Sequence, residues 1–393
     1  MTQTIPAKKN FFNQNVDLMN GPIFQSLVIF MLPILVSSLF QQLYNTVDTM
    51  IVGNVLGDTA LAAIGSCGSI YELLVGFGIG IGNGLAVVAA RSYGAQDEDL
   101  LKKTVAGSLV IGFLSSLCIT LAGLVGLHPL LVLLDTPAEI LEEAYSYILI
   151  IDVGVLVMFA YNLCAGLLRA IGNSFMPLVF LLISSGLNVA LDLVFIAVVG
   201  MGVKGAAVAT VISQGVSVVL CIFYVLRKTR VLVPERKHFQ VGRKLYWDLF
   251  SQSISMGLMS SIVSAGSVVL QYGINGLGTL VIAGHTAARK MFAFTDMPLI
   301  AMANAGSTFV SQNYGANHPD RVRKGMREIY LYSVVVAVLA VLLMNVGAEW
   351  MIKLISGSSE AVVLENGAKY LIWNAPFYAV LGVLLSTRYA LQS

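Results

Sequence analysis

Apolar runs of twenty or more residues alternate with short polar breaks along almost the whole chain. A bilayer's hydrocarbon core of about 30 Å takes roughly twenty helical residues to cross. Ten stretches meet that length, at 23–52, 59–90, 104–127, 138–168, 175–199, 204–227, 247–275, 280–311, 328–348 and 362–390, and they predict ten membrane-spanning helices. Gly21 and Pro22 mark the first helix start, since proline suits the first helical position. Glycines, prolines and charged clusters end the others. The longest polar interruption, 227–246, holds seven basic residues. It divides the chain into a tail (1–22), a six-helix lobe (23–227), a basic linker (228–246) and a four-helix lobe (247–393).

A repeat supports that division. Tyr93-Gly94-Ala95 with its charged follow-on returns as Tyr314-Gly315-Ala316, an offset of 221 (315 minus 94). At the same offset Leu56-Gly57 falls on Leu277-Gly278, and Ala62 on Ala283. Six helices, an even number, separate the copies, so they run parallel. Parallel repeats about an axis along the membrane normal are a transporter architecture, with the path between halves. By the repeat, the second lobe has four of an expected six helices, so the chain reads as a fragment or a truncated product.

Lys and Arg gather in cytoplasmic loops of membrane proteins. With the N-terminus inside, 18 of the 23 basic residues, Lys8 and Lys9 among them, fall on one side. The 128–143 loop, with Asp135, Glu139, Glu142 and Glu143, falls on the other. A multi-pass protein of the cell membrane with a cytoplasmic N-terminus is expected, in contact with lipid and not with nucleic acid.

Composition agrees: 57% of residues are hydrophobic and 11% charged, against about 25% charged in soluble proteins. Cys67, Cys118, Cys164 and Cys221 stand singly in apolar segments, and the four histidines form no cluster. No metal or redox spacing results, and no activated nucleophile appears, so an enzyme is not expected. The run Gly76, Gly78, Gly80, Gly82, Gly84 lacks the strand and Lys-Ser/Thr of a phosphate loop. It reads as a site of close helix packing or bending.

Candidate chemistry lies in polar residues inside the spans. An ionised Asp at the bilayer centre costs roughly 2.5–3.5 kcal/mol on insertion scales, so Asp48 in the first span must face protein or water. Asn188 and Asp192, four apart, share a face of the fifth span. Counting about 1.5 Å per residue places Asp48, Asp192 and Thr210 in the outer half of the membrane, where one polar chamber would serve all three. Two carboxylates in one chamber repel when both are ionised, which favours binding of a proton or cation. The alternative is a static polar network that fixes helix packing. Glu72, Asp152 and Asp296 are further intramembrane acids, each a proton relay or a structural hydrogen bond. Asn162 is a possible wall residue of the chamber.

At these residues the sequence resembles the multidrug and toxic compound extrusion (MATE) family. The matching pieces are Pro33, Gln41-Gln42-Leu43-Tyr44-Asn45 with Asp48, Gly53, Gly57, the run Ala60 to Gly65 and Tyr93-Gly94-Ala95. So are Leu168-Arg169-Ala170-Ile171-Gly172-Asn173, Asn188 with Asp192, and Gly205 to Thr210. The resemblance implies an all-α protein of two helical bundles. It further implies alternating access and export of small organic, cationic or amphipathic compounds against entering H⁺ or Na⁺, with no other cofactor. The polar set is similar to the DinF-type branch, which implies a cation site at Asp48, Asn188, Asp192 and Thr210 with Tyr44, Asn162 and Gln41 lining the chamber. Beyond Asp248 at its start the seventh helix is acid-free, and the tenth carries Asn374 at mid-span, which departs from the NorM-type pattern. A monomer is expected. The alternatives are a flippase for lipid-linked precursors, for which few basic residues are available within the spans, and a non-transporting fragment.

Overall fold

The structure, a computed structural model, describes residues 15–134, 136–275, 279–357 and 359–393. Lys8, Lys9, Asp135 and the Leu277-Gly278 step of the repeat lie outside the described residues. Every regular element among the described residues is helical.

The first lobe comprises α1 (Ile23–Leu56), α2 (Asp58–Ser66), α3 (Gly68–Gly94), α4 (Glu98–Leu133), α5 (Ala138–Val153), α6 (Val155–Ala170), α7 (Phe175–Asp192) and α8 (Val203–Lys228). The second comprises α9 (Arg243–Asn275), α10 (Thr279–Thr295), α11 (Met297–Gly315), α12 (Pro319–Ser356), α13 (Ala361–Asn374) and α14 (Tyr378–Gln392). The ten expected spans are all helical, but four are broken where continuous helices were expected. The breaks fall at Cys67, Gly154, Asp296 and the 3₁₀ turn Ala375–Phe377. At Gly154, α5 and α6 meet at 45°. Seven spans, or eight with that bent pair, are long and apolar enough to cross a membrane by length and composition. The other two are α9, diluted by serines such as Ser251, Ser253, Ser255, Ser260 and Ser261, and α10–α11, which carries His285, Arg289, Lys290 and Asp296. Both are packed into the bundle instead: α9 lies along α3, and α11 lies against α1, α3, α12 and α14.

The repeat persists in the backbone. Gly154 plus 221 is 375, so the fourth and tenth spans break at equivalent positions. Gln96 and Asn317, also 221 apart, are the two non-glycine residues with positive φ among those described, at 56° and 58°. At the end bearing the basic loops the two copies interlock. A Cβ on Gly94 would lie 2.6 Å from the carbonyl carbon of Gln312, and one on Gly315 would lie 2.9 Å from that of Arg91. Arg91 and Gln312 are again 221 apart, so the contact is reciprocal about a pseudo-twofold axis.

The hydrophobic cores follow the same geometry. At the basic end they mix lobes: Leu249 of α9 joins the α3–α6 core, and Leu27, Phe30 and Ile34 of α1 pack on Ala301, Met302 and Ala305 of α11. Gly80 and Gly84 let α3 touch the α9 backbone, with Cβ positions 2.6 Å from Met256 O and 2.5 Å from Gln252 O. That is the close packing expected of the glycine run. Arg91 and Asp248 form an ion pair at 3.5 Å across this contact. At the opposite end the cores are separate. One belongs to α1–α6 and α8 with Ile196 beyond α7, the other to α10–α14. A cleft therefore opens between the lobes away from the basic loops.

Part of the tail and of the linker is tied down. Val16 N donates to Gly172 O at 2.9 Å, and Leu18 is buried with its carbonyl accepting from Asn313 Nδ2 at 3.1 Å and from Arg321. Arg321 also donates to Gly21 O. In the linker, Leu232 joins the α3–α6 core, and buried His238 reaches Asp99 of α4 at 3.3 Å.

Candidate functional site

Gln41, Tyr44 and Asp48 sit at i, i+3 and i+7 along α1, on one helix face. Because α1 continues to Leu56, Asp48 is eight residues from its end, deeper than a helix ending at 52 would put it. Asp192 closes α7, and the chain then widens into a π-helical turn over Leu193–Val198. Such turns are rare and concentrate at functional positions. The widened turn follows directly after Asp192, while Asn188 stays one turn back. On α8, Thr210 and Gln214 occupy the i, i+4 pair that faces them.

The structure brings Asp48 and Asp192 together. Their carboxyl groups lie within hydrogen-bonding reach of each other. Asn188 Nδ2 donates to Thr210 Oγ1 at 3.5 Å, and Thr210 Oγ1 donates to Ala206 O at 3.0 Å. Asp192 is fully buried, Asn188 and Thr210 nearly so. The Tyr44 hydroxyl reaches both Gln41 and Gln214 and sits beside Asp48. Gln41 itself is exposed, at the margin of the cluster.

Three members escaped the sequence reading: Gln214, Tyr71 and Tyr147. Tyr71 lies near Tyr44 and Asp48, and Tyr147 near Tyr71, Asp48 and Asp192. Gln214 was legible, as a second polar residue one turn beyond Thr210 in an apolar span. The tyrosines were not, because a tyrosine in a span is equally a core residue or an interface anchor.

Asn162 lies on α6 and is partly buried. Its amide donates to Met158 O at 2.9 Å, and its Cβ packs beside Gly82. Glu72 is exposed. Asp152 is fully buried two residues before the α5–α6 bend, with neither oxygen hydrogen-bonded, against Gly123 of α4. Asp296 sits at the α10–α11 break in the other lobe, near Tyr378.

The cluster is rich in acceptors. Asp48 Oδ1, both oxygens of Asp192, Asn188 Oδ1 and Gln214 Oε1 are all buried without a donor. Buried polar oxygens are nearly always paired, and five converging acceptors with no cation among them suit a proton or a hard cation. No group of three or more His, Cys, Asp or Glu suited to a resident metal occurs among the described residues.

Comparison with known proteins gives a consistent result. The chain is 29% identical over 371 residues to the probable multidrug resistance protein YpnP of Bacillus subtilis, covering 93% of this chain and 82% of that protein. It is 22% identical to the multidrug export protein MepA of Staphylococcus aureus, covering 76% of this chain and 66% of that protein. In three dimensions it is similar to the crystal structure of a MATE protein in the straight conformation, with a TM-score of 0.87 at 22% identity over 96% of this chain and 84% of that one. An outward-facing MATE multidrug resistance transporter of the MOP superfamily matches with a TM-score of 0.83, also at 22% identity, over 96% of this chain and 86% of that one. The MatE family profile matches residues 33–194 and 256–393, well over half of the sequence. This two-lobed helical membrane protein, a transporter and not an enzyme, belongs to the MatE family.

Proposed function

We propose that the chain is a cation-coupled antiporter that exports organic cationic or amphipathic compounds across the cell membrane by alternating access between its lobes. The observation that carries this reading is the pair Asp48 and Asp192 facing each other amid unpaired acceptors. Two unit charges about 4 Å apart repel by about 4 kcal/mol at an effective dielectric of about 20. A single proton removes that repulsion, and so does a Na⁺ or the cationic group of a compound. Proton and cargo then compete for one negative charge. Coupling requires only that they bind the two lobe arrangements with different affinity.

The relatives named for multidrug resistance and export support the cargo class. The basic loops at the closed end support a cytoplasmic placement of that end and of the N-terminus. The arrangement is then outward-open, with the acid cluster in the outer half of the membrane. Asp192 at a π-helical turn suits a residue whose protonation has to move a helix.

The test is efflux of ethidium from proteoliposomes holding the full chain, under an imposed pH gradient and separately under an imposed Na⁺ gradient. Asp48→Asn and Asp192→Asn should each abolish gradient-driven efflux, and the gradient that drives the unaltered protein identifies the ion. Gradient-driven efflux retained in both variants would overturn the reading.

A further inference from the structure

We infer that the floor of the interlobe cleft is an anion-binding site, with Arg169 as its charged ligand. A cavity of about 30 Å³ lies there between the lobes. Its polar lining is Asn83 of α3, Arg169 of α6, Asn304, Ser307 and Thr308 of α11, and Tyr389 of α14. Asn83 plus 221 is 304, so the two asparagines are repeat equivalents and the cavity lies on the pseudo-twofold axis. A water needs about 10–15 Å³ of such space, so the volume holds a pair of waters, one small anion or the end of a carboxylate.

The charge around it is one-sided. Arg169 is half-buried, and no carboxylate pairs with it among the described residues. The titratable groups close to it are the Tyr161 phenol and the Cys221 thiol. A second guanidinium, that of Arg388, lies 4.9 Å from the centre of the Tyr389 ring. An unpaired charge withdrawn from water is strongly destabilising, and the C-terminal dipole of α6 offsets only part of that. Around the guanidinium stand two amides and three hydroxyls. Thr308 Oγ1 donates to Asn304 O at 3.4 Å, and Ser307 Oγ is hydrogen-bonded with Ser393 Oγ at 2.9 Å. Asn304 Nδ2 gives one N–H to Ile300 O at 3.0 Å. That leaves the Asn83 amide, the second Asn304 N–H and the Tyr389 hydroxyl as donors. Cation plus neutral donors in a space of this size is the chemistry of a monovalent anion, either chloride or the carboxylate of a compound in the cleft.

Position gives the site a consequence. Its lining comes from both lobes, next to the contacts that hold the basic end together. A ligand bound only when that end is closed stabilises the closed arrangement by mass action.

Thermal unfolding of the full chain in nanodiscs tests this. Chloride, and in a second arm acetate, is titrated against methanesulfonate, which carries no carboxylate, at constant ionic strength. The melting temperature should rise and saturate with at least one anion. Arg169→Gln should raise the half-saturating concentration about tenfold or more, and Asn304→Ala should raise it several-fold. Asp48→Asn, outside this cavity, should keep the response, so failure of the coupling reading leaves this one standing. A response to chloride alone assigns an inorganic ion, and a response to acetate alone assigns a carboxylate-bearing cargo. An unchanged curve in Arg169→Gln, or no saturable response to either anion in the unaltered chain, overturns the inference. If Arg169→Gln does not fold, unchanged curves in Asn83→Ala and Asn304→Ala do so equally.

Discussion

Adding one methyl group at Gly94 should unlock the closed end of the molecule. The new Cβ would lie 2.6 Å from the Gln312 carbonyl carbon and 2.7 Å from its Cα, whereas ordinary contact begins at 3.4 Å. The shortfall, 3.4 less 2.6, is 0.8 Å, and it is against backbone, so no rotamer change relieves it. The helical ends of α3 and α11 must move apart. Overpacking of this kind costs roughly 1–3 kcal/mol. Because the strain exists only when the basic ends touch, it shifts the balance of lobe arrangements by about 5- to 150-fold toward separation at that end. Spin labels at the exposed positions 98 and 320, in a background without the four native cysteines, would report the distance between the two repeat loops. Gly94→Ala and its repeat partner Gly315→Ala should both populate a longer distance. Gly126→Ala, whose Cβ meets nothing within 4 Å, should leave the distribution unchanged. Identical distributions in the Gly94→Ala variant and the unaltered chain would refute both the interlock and its reciprocity.

Asp152→Asn should transport like the unaltered chain and unfold within about 1 kcal/mol of it, because a neutral side chain of the same shape takes a place where neither oxygen has a partner; loss of coupled efflux would make Asp152 part of the ion path. Gly123→Ala alone should be destabilising, since its Cβ falls 2.5 Å from Asp152 Oδ1, and Asp152→Ala should rescue it; thermal melts of the single and double variants decide. Gln214→Ala should weaken ethidium binding and coupled efflux several-fold with little loss of stability, and an unaffected variant would remove Gln214 from the cluster. In the linker, Lys237 beside Glu235 holds that carboxyl below its usual range. A depressed folded pKa means the contribution is present above the ordinary value of about 4.3 and is lost only as pH falls through the lower folded value. Amide exchange over 230–239, corrected for intrinsic rates, should therefore stay protected from neutral pH down to about pH 5 and lose protection in Glu235→Gln; equal protection in that variant would exclude the contact.

The sequence by itself determined the ten helical spans, their parallel repeat and the end at which the basic loops collect, but not that four of the spans are broken. Burial of apolar runs in lipid and the avoidance of charge there are properties of composition along the chain, so they are legible without coordinates. The carboxylates Asp48 and Asp192, with Asn188 and Thr210, were legible for the same reason: a polar group in an apolar span is conspicuous. What the pattern left open was anything that depends on which face of a helix meets which neighbour. The breaks at Cys67 and Ala375 conserve apolar character and leave no mark in hydropathy. Tyr71 and Tyr147 join the acids only because α3 and α5 turn those faces inward. The cleft, closed where Gly94 and Gly315 interlock and open where the two outer cores part, is a relation between lobes some 221 residues apart in sequence. Local periodicity carries no information about such a distance, and only packing decides it.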